Sequence, residues 1–145
     1  MAQFIKNAST GGFLAVNAAQ GPTTNGAQLI QFAFTGDGTQ QWDLEQQASG
    51  AFLIKNVGSG KVIDVPHSSL NAGTQLIQFN EDGGQNQLWT MISVAGVPGG
   101  VVFQNVATGL FINAAGNNGN NGDPIIEWPN FPGGVQLNSV WIPSS

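Results

Sequence analysis

Short apolar runs rich in Val, Ile and Phe alternate along the chain with clusters of Gly, Asn and Ser every eight to twelve residues. That rhythm is the pattern of an all-β sandwich or barrel. No window holds an apolar period of 3.6 residues long enough for a substantial helix. Gln28-Leu29-Ile30-Gln31-Phe32 and Gln75-Leu76-Ile77-Gln78-Phe79 place β-branched and aromatic residues between amides, as strands do. Asn117-Asn118-Gly119-Asn120-Asn121-Gly122 reads as a loop whose Asn-Gly pairs supply positive φ.

The apolar runs recur with a long period. Asn7, Asn56 and Asn105 are spaced 49 residues apart, and each precedes a small turn ending at Gly11, Gly60 or Gly109. A short run follows each turn: Phe13-Leu14-Ala15-Val16, Val62-Ile63-Asp64-Val65 and Phe111-Ile112-Asn113-Ala114. Gly26 to Phe32 matches Gly73 to Phe79 almost letter for letter, and Gly122 to Trp128 is a diverged third version. The units close on Trp42, Trp89 and Trp141. Self-similarity of this kind marks units that cannot bury an apolar face alone. It predicts three repeats of about 48 residues, approximately 1–50, 51–98 and 99–145, closing into one pseudo-threefold domain over 1–145. Spacing alone also permits a three-bladed arrangement.

The closing motifs decide between these. Gln40-Gln41-Trp42 and Gln87-Leu88-Trp89 have the form Gln-x-Trp, and Ser139-Val140-Trp141 is a weakened third copy. With Ile63-Asp64-Val65, Gly73-Thr74-Gln75 and Asn86-Gln87, they make the chain resemble the ricin B-chain type of β-trefoil lectin over essentially its whole length. Small cysteine-free mushroom lectins are similar in size and composition. The resemblance implies an all-β β-trefoil and a carbohydrate-binding function, directed at galactose or N-acetylgalactosamine glycans and agglutinating by multivalency.

It also implies which residues bind. The family's set is an Asp in the early run, an aromatic near the middle and Asn-Gln before the closing Trp. The second repeat supplies Asp64, Phe79, Asn86 and Gln87, with His67 in the adjoining loop. Asp64 among Val and Ile is a poor place for an unpaired carboxylate without a task; the competing reading is a turn-capping Asp. The third repeat offers Asn113, Trp128 and Asn138, an altered site in which Trp128 is either an exposed platform or a partly buried packing ring. The first repeat has Ala15 and Thr39 at the Asp64 and Asn86 positions, so its site is expected to be weak or lost, with Asn17 as a substitute and Phe32 and Phe34 still present. Trp42, Trp89 and Trp141 are expected in the core.

Composition narrows the classes. The 145 residues carry only 8% charged side chains and a net charge of −5, with three Lys and Arg together, which excludes the basic footprint of nucleic-acid binders. Without Cys there is neither a disulfide framework nor a thiolate metal site. One loop histidine, no His cluster and no recognisable carboxylate pair argue against an enzyme and against a metal or other cofactor. The first residues enter the repeat at once, so the expected location is cytoplasmic, or outside the cell without a signal peptide. No apolar run reaches membrane-spanning length. The partners expected are glycans of glycoproteins or glycolipids, with a homodimer as an open option. Trefoils also serve as protease inhibitors or as non-binding scaffolds, and these remain the alternatives.

Overall fold

In the computed structural model, residues 2–130 and 136–145 are described. Twelve strands follow in chain order: β1 Ala2–Asn7, β2 Phe13–Val16, β3 Leu29–Phe32, β4 Trp42–Gln46, β5 Phe52–Asn56, β6 Val62–Asp64, β7 Ile77–Phe79, β8 Trp89–Ser93, β9 Val101–Asn105, β10 Phe111–Ala114, β11 Ile125–Trp128 and β12 Trp141–Ser144. Antiparallel pairings β1–β4, β4–β5, β5–β8, β8–β9, β9–β12 and β12–β1 close a six-stranded barrel. Closure removes the unpaired edges that an open sheet would expose.

The other six strands form hairpins β2–β3, β6–β7 and β10–β11. They meet through bridges Gln28 to Ile77, Gln75 to Ile126 and Ile30 to Pro124, capping the barrel. The molecule is therefore a β-trefoil. Its elements besides strands are 3-10 turns of three residues, and among the described residues no helix is long and apolar enough to cross a membrane.

The barrel core holds Trp42, Trp89 and Trp141, all at 0% exposure, with Ile5, Leu14, Ile54, Ile63, Phe103 and Ile112. Each indole N–H donates to a carbonyl on the hairpin of its own repeat: Trp42 to Leu14 at 3.0 Å, Trp89 to Ile63 at 3.2 Å and Trp141 to Ile112 at 3.0 Å. The polar edge of a buried ring is thus satisfied, as burial of Trp requires.

Two further polar triplets follow the same symmetry. Asn7, Asn56 and Asn105 are buried. Their Oδ1 atoms accept from the turn that follows, at Ser9, Ser59 and Ala107. Their Nδ2 atoms donate to the carbonyls of Asn138, Thr39 and Asn86, each in the preceding repeat around the ring. Every asparagine that marks a period is a clamp between neighbouring repeats.

The second triplet is Gln31, Gln78 and Glu127, each accepting a turn hydroxyl, from Thr10, Ser59 and Thr108. Gln78 Nε2 donates to the carbonyls of Pro22 and Thr24 and Gln31 Nε2 to Asp123. Glu127 has no such donor when ionised, and among the described residues its Oε2 is buried without a hydrogen-bond partner. Burial pushes the Glu127 carboxyl above its ordinary range, against the opposing pull of the Thr108 hydroxyl.

A carboxyl whose folded pKa is raised gives its full stability below the unfolded value, about 4.3, and loses it as pH climbs through the folded one. Glu127→Gln restores the missing donor, and should stabilise the fold by about 1 kcal/mol at neutral pH, or about 3 °C in Tm. The gain should shrink toward acid. Melting both proteins across pH checks this, and equal melting temperatures at pH 7 would refute it.

Candidate functional site

Because Trp89 grips the Ile63 carbonyl, the next residue on β6, Asp64, is fixed with its side chain turned to the opposite face of the strand. Asp64 is 4% exposed. Gln87 Nε2 donates to Oδ2 at 2.9 Å and Asn86 Nδ2 to the same oxygen at 3.3 Å. Among the described residues no hydrogen bond reaches Oδ1. Burial raises the Asp64 carboxyl above its usual range; the Gln87 bond opposes this, and the Asp82 carboxylate adds to it.

Asp64 forms the floor of an open cleft of about 300 Å³ lined also by Pro66, His67, Ile77, Phe79, Asp82 and Asn86. Asp64 and Ile77 are paired across β6–β7, and Phe79 lies two positions on, which brings its ring to the same face. Phe79 is 37% exposed, a large apolar surface left open beside a carboxylate. His67 and Ser68 hold left-handed backbone, φ 57° and 51°, where the third repeat has Gly116 and Asn117. A side chain at the Gly116-equivalent position is a strained choice of the sort found at binding sites, and it adds the imidazole to the cleft wall.

The structure thus gathers Asp64, His67, Phe79 and Asn86. Gln87 stands behind them: it is fully buried, with Nε2 also on the Asn80 carbonyl and Oε1 accepting the Asp82 N–H. Its part is to hold Asp64. Pro66, Ile77 and Asp82 were not singled out for binding from sequence. Asp82 sits in the loop Glu81-Asp82-Gly83-Gly84, and no motif marks it.

In the third repeat Asn113 is 2% exposed, donating to Ser139 Oγ at 2.8 Å and accepting from Asn138 Nδ2 at 3.4 Å. Asn138 also donates to the Ala114 carbonyl. The set copies the Asp64 arrangement with an uncharged floor. Trp128 is half-buried on β11, opposite Phe111, and lies over Gly73, where an added methyl would come 3.8 Å from Cζ3. It is therefore a partly packed ring and less exposed than a free platform. Residues 131–135, which follow, lie outside the described residues.

The first repeat departs from expectation. Asn17 does not replace Asp64; it lies past the end of β2 and caps the 3-10 turn Ala18–Gln20, accepting from Ala19 N. Even so, a cleft of about 240 Å³ persists there, lined by Ala15, Asn17, Ile30, Phe32, Asp37 and Thr39 among others. Phe34 lies outside it, packed edge-on against Phe4 and Phe13. Among the described residues no three His, Cys, Asp or Glu side chains converge to hold a metal ion.

The family model described as ricin-type β-trefoil lectin domain-like matches residues 3–79 and 39–128. No curated protein matches the chain in sequence. Among solved structures, the designed 3-fold symmetric protein ThreeFoil superposes with a TM-score of 0.90 at 26% identity, covering 99% of this chain and 98% of its own. An exo-β-1,3-galactanase from Clostridium thermocellum matches at 0.87 and 30% identity over 98% of this chain, which spans only 29% of that enzyme. The Macrolepiota procera ricin B-like lectin, solved in complex with lactose, matches at 0.82 and 16% identity, covering 99% and 94%.

Burying an ionised Asp64 is a local cost of this arrangement. Asp64→Asn keeps an oxygen for the Gln87 and Asn86 donors without the charge, and should raise stability at neutral pH by about 1 kcal/mol. The raised carboxyl means wild type loses stability as pH rises through the folded pKa, so the advantage should vanish toward acid. Chemical denaturation at pH 7 and in acid measures both ends, and a less stable Asp64→Asn at pH 7 would sink the idea.

Proposed function

The chain belongs to the ricin-type β-trefoil lectin domain-like family, and on that premise we propose that it is a non-enzymatic lectin whose principal sugar site is the second-repeat cleft. The observation that carries this reading is the carboxylate of the buried Asp64 at the floor of that cleft, with no hydrogen bond to Oδ1 among the described residues and a partly open phenyl ring beside it. A pyranose offers what this needs: adjacent hydroxyls for the carboxylate and the Asn86 amide, and a C–H face for Phe79. Charge-assisted bonds to Asp64 supply the anchor. His67 and Asp82 close the wall around further hydroxyls.

The third repeat, with Asn113, Asn138 and Trp128, is the secondary site, bound less tightly through neutral groups. The preferred ligands are galactose and N-acetylgalactosamine glycans; the galactoside held by the Macrolepiota procera lectin supports that preference. Shallow sites bind weakly one at a time. Several sites on one chain, or a homodimer, add them by effective concentration and agglutinate cells. The protein contacts are amide, carboxylate and ring, so no metal ion mediates them.

Two outcomes follow. Glycan binding should be unchanged in excess chelator; loss in chelator with recovery on adding calcium would contradict the direct contacts proposed. Asp64→Ala should cost roughly 1.5–3 kcal/mol of monosaccharide affinity, ~10-fold or more, and Asn113→Ala less. Calorimetry on variants that melt like wild type decides it. Normal binding by Asp64→Ala with loss in Asn113→Ala would move the principal site to the third repeat.

A further inference from the structure

The first-repeat cleft keeps the size class of its counterpart and reverses its chemistry. Its floor is Ala15, 2% exposed, flanked by Val16 and Ile30. The two groups that hold Asp64 in the second repeat have lost that task here. Gln40 spends its amide on backbone, donating to the Ala33 carbonyl and accepting from Thr35 N and Gly36 N. Thr39, in the place of Asn86, bonds Asp37 through both its N–H and its hydroxyl. The acid has moved from the floor to the rim, since Asp37 is exposed and lines the opening. Phe32, 37% exposed like Phe79, keeps the aromatic wall. Asn17 also lines the cleft, with an Nδ2 that makes no hydrogen bond among the described residues.

We propose that this cleft is a second binding site of different specificity, taking a 6-deoxyhexose whose methyl group rests on the Ala15–Ile30 floor while its ring hydroxyls meet Asp37 and Asn17 at the rim. A hydroxyl pushed onto that floor would find no partner, and buried polar groups without partners are costly. A methyl there gains contact and loses nothing. A plain apolar ligand would leave the Asp37 carboxylate and the Asn17 amide facing it without hydroxyls to engage. The combination of ring, apolar floor and polar rim therefore matches a sugar with one deoxygenated carbon. One chain would then read two different sugar termini, so that a glycan surface carrying both is held more firmly than one carrying either.

The site extends the lectin reading to a repeat which that reading does not use, and the two are tested separately in one experiment. Backbone amide NMR signals are followed while the intact protein is titrated with D-fucose, L-fucose and L-rhamnose, and with the hydroxymethyl counterpart of each. At least one 6-deoxyhexose should move the Phe32 and Thr39 signals, with about 4-fold preference over its counterpart, the worth of one buried methyl. That response should survive Asp64→Ala. Ala15→Asp should abolish or reverse the preference. If that variant fails to fold, the exposed Asp37→Asn carries the test and should weaken the response at least about 3-fold, as loss of a charge-assisted bond implies. Movement of Phe79 and His67 alone, with any sugar, overturns this site and leaves the lectin reading intact. No movement of either set overturns both.

Discussion

The indole N–H of each closing tryptophan, bonded to a carbonyl on its own hairpin, is the contact on which the rest of the molecule depends. It ties the barrel to the cap in all three repeats, between residues 26 to 29 positions apart in sequence. It also sets the site. The carbonyl held belongs to Leu14, Ile63 or Ile112, and the next residue in each case is the cleft-floor position: Ala15, Asp64 or Asn113. A strand whose even positions are fixed against the core has its odd positions fixed toward the other face. The core therefore aims the floor residue without depending on what that residue is.

That independence explains how one fold holds three chemistries. In the first two repeats the neighbour of the floor position has a backbone duty that does not depend on the floor: Gln40 and Gln87 both donate to the carbonyl that opens the preceding turn and accept from N–H groups within it. Where the floor is Asp64, the same amide donates once more. Where the floor is Ala15, nothing structural is missing. The scaffold tolerates Asp, Asn or Ala at this position because the stabilising bonds pass beside it.

The fold was legible because its determinants recur. Asn7, Asn56 and Asn105 and the three tryptophans announce themselves by spacing, and a residue needed three times leaves a period. The asparagines' role was not legible: their Nδ2 atoms reach carbonyls of the preceding repeat, up to 131 positions away, and no local pattern encodes such a partner. Asp64, Phe79 and Asn86, which line one cleft, were singled out through resemblance to a known motif. Asp82 was not, because it enters the cleft from a loop with no fixed register. The acid at the first-repeat cleft was not legible for a related reason. Gapless alignment tests one position for an acid, and Asp37 lies in a different one.

The second repeat accepts a carboxyl whose burial pushes its pKa up, two left-handed residues at His67 and Ser68, and a partly exposed phenyl ring. Each works against stability, and all converge on one cleft. The equivalents in the third repeat are milder: Asn113 is neutral, Gly116 adopts its backbone without strain, and Trp128 rests partly on Gly73. Single features of this kind recur elsewhere, in Phe32 of the first repeat and in Glu127 and Asn117 of the third, but only in the second repeat do they line one cleft. The second repeat gathers its buried carboxylate, left-handed loop and half-open ring around one cleft, and that convergence is what supports placing the proposed sugar site there.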